Sequence, residues 1–455
     1  MKPERLIYTF VSYAAHYDAD WGKGVALDGI ELTAELAHKY RIPVTWIVNR
    51  GSIPVLRERI GEWHIAFGDD VILQCPFFEE EAGSSKEVLK QRLEEDWSLL
   101  QEAFPWATTK VAARGKIYNE VIEVLEELDF EGMWGYCFEQ FWWDGITHKG
   151  IPWGSWYVDS GSFKVPHSGR GQVVACEWTA RDLHATYHTG SPVIYSTDPN
   201  DVLRAGLCTG ENIDYWKHLF DEYLFNTDHN GQVFFLQQQE GHEMEFTDRF
   251  TVFPASHVGE CAGMLDLFFK YITGYPITLT TLPHAVRLYK EQNEYTAASY
   301  MLTHDYPVRP EVNEYTMTLG GVGFGPWPET FLYYDKECQL SFVEGECRPR
   351  LLRNYIGKLN MNDDFTEAVP PVFVTKYLKT DAVIELEYEI GSSSAVPFGL
   401  VYWDDLEDYE VSACSGGAEV KLIKDKLAFL RFNLTGGRQT IGLTLRLKRR
   451  LEGHA

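Results

Sequence analysis

The sequence RLIYTFVSYAAHYDADW, residues 5–21, decides the fold. Its apolar, β-branched and aromatic run at 6–13 predicts a strand buried on both faces, as in a parallel sheet. His16, Asp18 and Asp20 follow at alternate positions, which lie on one side of an extended chain. An imidazole and two carboxylates can hold a divalent cation or position a water molecule. Because α/β folds place their chemistry between a strand and the next helix, we interpret the triplet as part of a site; the alternative is a solvated turn.

This strand opens a repeated strand–helix unit. Further apolar runs predict strands at residues 43–49, 71–77, 110–114, 132–137, 173–178, 233–239 and 278–282. Amphipathic stretches between them predict helices at 24–40, 84–104, 119–128, 213–225, 259–272 and 284–289. Ser84 and Glu87 form a possible capping box, and Asn119 is a candidate N-cap. Seven or eight such units predict a parallel sheet closed into a barrel.

The pattern of predicted secondary structure changes near residue 290. Short β-rich segments separated by glycine and serine turns replace the helical periods. We therefore predict an α/β chain: a (β/α) barrel catalytic domain over residues 1–290, followed by a β-sandwich domain over residues 291–455.

The amino-acid composition limits the kinds of molecule that this protein is expected to bind. The 455 residues carry a net charge of −26, which argues against nucleic-acid binding because phosphates require a basic patch. Fourteen Trp and 25 Tyr suit either sugar stacking or core packing. The eight cysteines are scattered without a C-x-x-C pair, and neither a signal peptide nor a membrane span is visible. These features predict a cytoplasmic protein with reduced thiols, and they leave the oligomeric state open.

Polar residues cluster where the later predicted strands end. Arg114 follows the fourth strand and can bind a carboxylate, although an exposed turn explains it equally well. Glu177 follows the sixth strand as a catalytic or a structural residue. Glu240 and His242 follow the seventh strand as a candidate base and metal ligand. Two glutamines of the same strand are candidates for substrate binding, namely Gln237 and Gln239.

A long aromatic loop at about 138–171 follows the fifth strand. A loop of this length without regular structure is usually functional. Asp144 is its best candidate for a catalytic carboxylate, and its indoles are candidates for stacking on sugar rings: Trp142, Trp143, Trp153 and Trp156. The alternative is that these rings pack over the rim of the barrel.

The order of these motifs resembles the glycoside hydrolase/polysaccharide deacetylase superfamily. The similar features are the acidic end of the first strand, the second strand IPVTWIV at 42–48, an Arg-Gly turn followed by Tyr118, the Trp-Asp pair after the fifth strand and a polar seventh strand. The resemblance covers residues 1–290 and implies an irregular (β/α)7 barrel, with Tyr118 as a further substrate-binding residue.

The resemblance also implies roles for individual residues. In the deacetylases an Asp pair after the first strand supplies a base and a metal ligand, matched here by Asp18 and Asp20. Their H-x-x-x-H after the third strand is replaced here by QCPFF at 74–78. The family 38 α-mannosidases hold zinc with an H-x-D, matched by His16 and Asp18, and use an Asp nucleophile and a late His, for which Asp144 and His242 are candidates.

Together these features predict a carbohydrate-active hydrolase. Asp20, Asp144, Glu177 and Glu240 would be the catalytic carboxylates, acting on the glycosidic bond of an oligo- or polysaccharide. One divalent metal ion, zinc or similar, would be held by His16, Asp18 and His242. The alternatives are removal of acyl groups from a saccharide and a catalytically silent sugar-binding protein.

Overall fold

The computed structural model confirms the predicted barrel and the antiparallel sheets after it. The structure describes residues 1–15, 24–78, 81–113, 118–136, 154–161, 167, 169–182, 196–228, 230–246, 253–297, 299, 318–319, 322–323, 334–335, 340–341, 372–392, 397–423, 425 and 427–448.

A nine-stranded sheet forms the first part of the chain. Its strands are β1 Leu6–Tyr13, β2 Val44–Val48, β3 Asp70–Gln74, β4 Val111–Ala113, β5 Gly132–Tyr136, β6 Trp156–Tyr157, β7 Val174–Glu177, β8 Val233–Glu240 and β9 Thr278–Thr280. The order is β6-β7-β5-β4-β3-β2-β1-β8, and β9 pairs with the first half of β1. Every pairing is parallel except that of β6 with β7. Eight of the nine strands are thus parallel, and seven of them, all except β9, which pairs with β1 alone, form the wall of a (β/α)7 barrel.

Helices follow most of the strands, as right-handed crossovers between parallel strands require. The α-helices of the described part are α1 Leu27–Lys39, α2 Ile53–Phe67, α3 Lys86–Ala103, α4 Asn119–Glu127, α5 Pro199–Arg204, α6 Asp214–Asn226, α7 Ala255–Ile272 and α8 Leu282–Gln292. Two 3₁₀ turns lie at Pro3–Arg5 and Gly241–Met244. Within these ranges, no helix is long and apolar enough to cross a membrane.

Strand β1 is largely apolar, and its two polar residues, Thr9 and Ser12, are buried as well. Leu6, Tyr8 and Phe10 belong to the apolar cluster between the sheet and the outer helices. Ile7 and Val11 belong to a second cluster with the residues of α8 that face the sheet. Because successive side chains point to opposite faces, a strand buried on both faces has no polar side.

The barrel closes between β7 and β8 through irregular backbone. Ala180 N donates to Leu236 O at 2.6 Å, and Thr197 N donates to Ala180 O at 3.0 Å. Helix α8 places Val286 and Tyr289 in the inner cluster, packed with residues of β1, β3 and β7. The interior is therefore a packed core.

Two antiparallel sheets follow the barrel. The first contains β14 Val372–Lys379, β15 Val383–Ser392, β20 Gly437–Leu447 and β17 Tyr409–Cys414, in that order. The second contains β16 Pro397–Trp403, β19 Leu427–Asn433 and β18 Glu419–Ile423. Ile384 and Leu443 of the first sheet share one apolar cluster with Leu400 and Leu430 of the second. Four two-residue strands precede them, β10 Thr318–Leu319, β11 Val322–Gly323, β12 Tyr334–Asp335 and β13 Leu340–Ser341.

Two predicted helix starts were wrong by one residue. The N-cap of α3 is Ser85, whose side chain accepts from Val88 N, whereas Ser84 has a left-handed φ of 58°. The N-cap of α4 is Tyr118, so Asn119 is already helical. In both places the local backbone conformation, which the sequence pattern does not specify, selects the cap.

Asp69 is the centre of a buried polar network at the amino ends of β2 and β3. Its two carboxylate oxygens lie 3.0 and 3.1 Å from His38 Nε2. They also accept from Val44 N at 3.0 Å and from Trp46 Nε1 at 2.7 Å. The His38 ring stacks on Phe67 at 3.8 Å between centroids. Asp69 is completely buried, so the network ties α1 and the end of α2 to the sheet.

We predict that Asp69→Ala destabilises the protein by about 3–5 kcal/mol, because it leaves three buried donors without their acceptor. The control is Asp266→Ala, which removes an exposed pair with Lys39 and should leave the melting temperature close to that of the wild type. Chemical denaturation of both variants checks the prediction. Equal midpoints for the two would contradict it.

Candidate functional site

Three potential metal ligands lie at the carboxyl end of β8. Glu240 is the last residue of the strand, and His242 and Glu243 lie in the 3₁₀ turn that follows. One ligand atom from each residue lies within 4.8 Å of the others. Glu240 Oε2 is 3.4 Å from His242 Nε2, and the His242 side chain is buried. We call these three residues the Glu–His–Glu group.

The turn that carries the Glu–His–Glu group rests directly on α1. A Cβ atom added at Gly29 of α1 would lie 1.9 Å from Gly241 O and 2.9 Å from Met244 C. A Cβ at Gly241 would lie 2.7 Å from Ile30 Cγ1 and 2.9 Å from Tyr13 O. Only glycine at both positions permits this approach of helix, turn and strand.

A second set of polar residues lies at the start of α5. Asp198 is the N-cap of this helix, and its side chain accepts from Asn200 N at 2.9 Å and from Asp201 N at 3.0 Å. The other carboxylate oxygen of Asp198 accepts from Gln238 Nε2 of β8. Arg204 forms an ion pair with Asp201. Thus β8 and α5 bring further carboxylates close to the Glu–His–Glu group.

Burial and mutual repulsion raise the pKa values of these carboxyl groups. Desolvation raises the pKa of Glu243 well above its ordinary value, and the charges of Glu240, Asp198 and Asp201 add to the effect. Desolvation, followed by the charge of Asp201, raises the pKa of Asp198 in the same way. Desolvation also raises the pKa of Asp201, although Arg204 opposes the shift. Groups with such shifts either carry a proton at neutral pH or require a cation nearby.

Several residues of the sequence prediction lie outside the described residues. They are His16, Asp18, Asp20, Arg114, Trp142, Trp143, Asp144 and Trp153. Among those that the structure describes, it brings Glu240 and His242 together.

Three other predicted site residues occupy packing positions. Glu177 ends β7 and is buried, and its position alternates with that of Cys176, which faces the inner cluster. Tyr118 packs against Phe78 at 5.4 Å between ring centroids. Trp156 lies in β6 and has no exposed surface. A completely buried indole does not present its face to a sugar, so Trp156 packs as a core residue in this conformation, and its role in sugar binding stays a prediction.

The two predicted glutamines make protein contacts. Gln237 accepts from Tyr8 Oη at 2.6 Å and donates to Thr197 O at 3.2 Å, so its amide joins β8 to two neighbouring segments. Gln239 Nε2 donates to Glu243 Oε2 at 3.0 Å. Both are buried, and these contacts favour a structural role over direct substrate binding.

Four further residues of the candidate site were not predicted from the sequence: Asp198, Asn200, Asp201 and Glu243. The signal for the first three was the Asp198-Pro199 pair, because Asp at the N-cap followed by Pro at the first helical position marks a helix start. Glu243 follows Glu240 by three residues, which places both on one side only if the intervening chain is helical.

The Glu–His–Glu group suits a metal ion better than a pair of carboxylates flanking a glycosidic bond. Catalytic carboxyl groups of glycosidases stand about 5–5.5 Å or about 6.5–9.5 Å apart on opposite sides of the bond. Glu240 and Glu243 instead come from one turn, with ligand atoms within 4.8 Å. Two carboxylates and one imidazole are a donor set that zinc and similar divalent ions accept.

A comparison with solved structures finds chains that are similar to this one at low identity. One is a putative polysaccharide deacetylase from Mycobacterium smegmatis, with a TM-score of 0.41, 11% identity, and coverage of 67% of this chain and 96% of that chain. Puue allantoinase has a TM-score of 0.42, 12% identity, and coverage of 65% and 93%. A 4-alpha-glucanotransferase from Thermococcus litoralis has a TM-score of 0.42, 10% identity, and coverage of 98% and 100%.

No protein-family model and no curated protein matches the chain. The likeness to solved structures concerns the fold, and the assignment of the barrel rests on the strand order described above.

We predict that Gly29→Ala displaces the turn of the Glu–His–Glu group and destabilises the protein by about 1–3 kcal/mol, since the new methyl group overlaps Gly241 O. Gly61→Ala is the matched control. Gly61 lies within α2 with open space around its Cβ position, so this change should be neutral or stabilise by about 0.5–1 kcal/mol.

Thermal melting and zinc titration of the two variants provide the measurement. If Gly29→Ala melts like Gly61→Ala and binds zinc like the wild type, the contact between α1 and the turn does not position the site.

Proposed function

We propose that this protein is a carbohydrate-active hydrolase with a metal-assisted site at the carboxyl ends of the barrel strands. The observation that carries the proposal is the Glu–His–Glu group, surrounded by further buried carboxylates. Within the described part of the chain, Arg204 forms an ion pair with Asp201 of this cluster, and the charge of Arg181 also acts on Asp201. A divalent ion would compensate the remaining negative charge and, when bound, would supply polarisation of a substrate oxygen or of a water molecule.

Strand register supports a link between the Glu–His–Glu group and the predicted triplet after β1. Tyr13 of β1 pairs with Glu240 of β8. His16 follows Tyr13 by three residues in the chain, and Asp18 follows by five. We therefore include His16 and Asp18 among the proposed metal ligands and Asp20 among the catalytic carboxylates.

The substrate-binding side of the proposal comes from the sequence. Asp144 remains a candidate for the carboxylate that acts across the bond from Glu240, with Glu177 as a further candidate. Arg114 and three indoles are proposed to contact the saccharide: Trp142, Trp143 and Trp153. The acidic composition fits a neutral or basic saccharide better than an anionic one.

Removal of acyl groups from a saccharide is a second candidate. The donor set favours it, because an ion held by carboxylates and an imidazole suits the activation of water. The place of the family's paired histidines holds Cys75, a buried thiol whose pKa burial raises to about 12. A single buried thiol does not replace a pair of histidine ligands, so a deacylase of this chain would use the Glu–His–Glu group instead.

We predict that Glu240→Gln lowers kcat by about 10²–10⁴-fold on whichever substrate is turned over, because the amide neither accepts a proton nor binds metal well. The control is Glu131→Gln. Glu131 directly precedes β5 at the opposite end of the barrel and pairs with Lys290 at 3.1 Å.

Aryl glycosides and acetylated oligosaccharides form the substrate panel. Release of the aryl alcohol indicates glycosidic cleavage, and release of acetate indicates deacylation. Oligosaccharide binding without either product would show a silent sugar-binding protein and would refute the hydrolase proposal.

The metal ion gives a separate prediction. Protein purified without chelator should contain about one zinc or similar ion per chain, and both His242→Ala and Asp18→Ala should lower this content. Elemental analysis measures the content directly. Unchanged metal content in both variants would place the ion elsewhere, and activity that survives complete chelation would favour a purely carboxylate mechanism.

A further inference from the structure

Glu243 of the Glu–His–Glu group is held by two amides from different elements. Asn200 Nδ2, at the start of α5, donates to Glu243 Oε2. Gln239 Nε2, on β8, donates to the same oxygen at 3.0 Å. Both amides are buried, at 1% and 0% exposure. A carboxylate offers about four lone-pair sites, so two donors leave acceptor capacity for a metal ion.

The orientation of the Asn200 amide is fixed from its other side. Its Oδ1 lies 2.9 Å from His257 Nε2 and accepts from Cys261 Sγ at 3.3 Å. These two residues are four apart on α7 and therefore share one face of that helix. Burial raises the pKa of the Cys261 thiol, which keeps its proton and can donate. With Oδ1 engaged by α7, the Nδ2 group must point to Glu243.

We propose that Asn200 and Gln239 are positioning residues that fix the Glu243 carboxylate for metal binding. This inference rests on the metal-assisted function proposed above. Ligands of metal ions are oriented by hydrogen-bonding partners outside the coordination sphere, and loss of such a partner typically costs about 10–100-fold in metal affinity. The two amides approach from a strand and from a helix, so they restrict the carboxylate in two directions.

A purely structural role makes a different prediction. If Asn200 serves only to dock α5 on α7, its loss should have the same effect as loss of the His257 contact. His257→Phe removes that hydrogen bond and keeps a ring stacked on Phe253. Cys261 Sγ still donates to Asn200 Oδ1 in this variant, so the amide keeps its orientation and its bond to Glu243. This variant is therefore the matched control for Asn200→Ala.

The test uses the full chain loaded with Co²⁺, whose visible absorption reports coordination geometry, together with zinc affinity from competition with a chelating dye. We expect Asn200→Ala and Gln239→Met each to weaken zinc binding by about 10–100-fold and to change the cobalt spectrum. His257→Phe should retain both the affinity and the spectrum of the wild type.

The outcomes separate the two proposals. If both amide variants keep the zinc affinity and cobalt spectrum of the wild type, the positioning role is overturned and the metal site still stands. The same conclusion follows if His257→Phe loses as much zinc affinity as Asn200→Ala. A wild-type chain that binds neither ion would overturn the metal-assisted function itself, and the positioning role with it. If Asn200→Ala does not fold, Gln239→Met against His257→Phe still decides whether Glu243 is positioned by its amide partners.

Discussion

The parallel pairing of β1 with β8 over eight residues is the constraint on which the site depends. Its register runs from Leu6 opposite Val233 to Tyr13 opposite Glu240. Because the side-chain period is two, this register fixes which residues of both strands face α8 and which face the outer helices. It also brings Tyr13, the last residue of β1, level with Glu240. A shift of one residue would exchange the two faces of the whole strand pair.

The position of the 3₁₀ turn after β8 follows from that pairing together with one close contact. Gly29 lets α1 approach Gly241 O, so the turn is enclosed between a helix and the end of a strand. The backbone that carries the side chains of His242 and Glu243 is therefore held in place. Asn200 and Gln239 add side-chain support to Glu243. A site supported in this way by helix, strand and turn has the rigid framework that metal and catalytic geometries need.

The sequence was most informative where one physical effect dominates. Strand β1 was predicted with its observed bounds because all eight of its residues suit a strand buried on both faces. The helix predicted at 24–40 is found at Leu27–Lys39, where Ile30, Ala34 and Ala37 are buried and Leu27 is 44% exposed. Prediction was weaker where tertiary contacts decide whether a side chain is buried or exposed. The sequence does not distinguish a tryptophan that contacts a sugar from one that packs in the core. The structure shows that Trp156 is completely buried in a two-residue strand.

The candidate site shows the same limit for charged residues. Glu240 and His242 were found because they follow a predicted strand, whereas Glu243 and Asp198 depend on a 3₁₀ turn and on a six-residue helix that has little periodicity to detect. These residues also affect the stability of the fold, because burial of several carboxylates together opposes folding unless protons or a cation neutralise them. The barrel provides the compensating stability elsewhere, through its two apolar clusters and the network around Asp69. Several buried carboxylates with raised pKa values at one end of the barrel form the kind of cluster that is more frequent at functional sites than in purely structural cores.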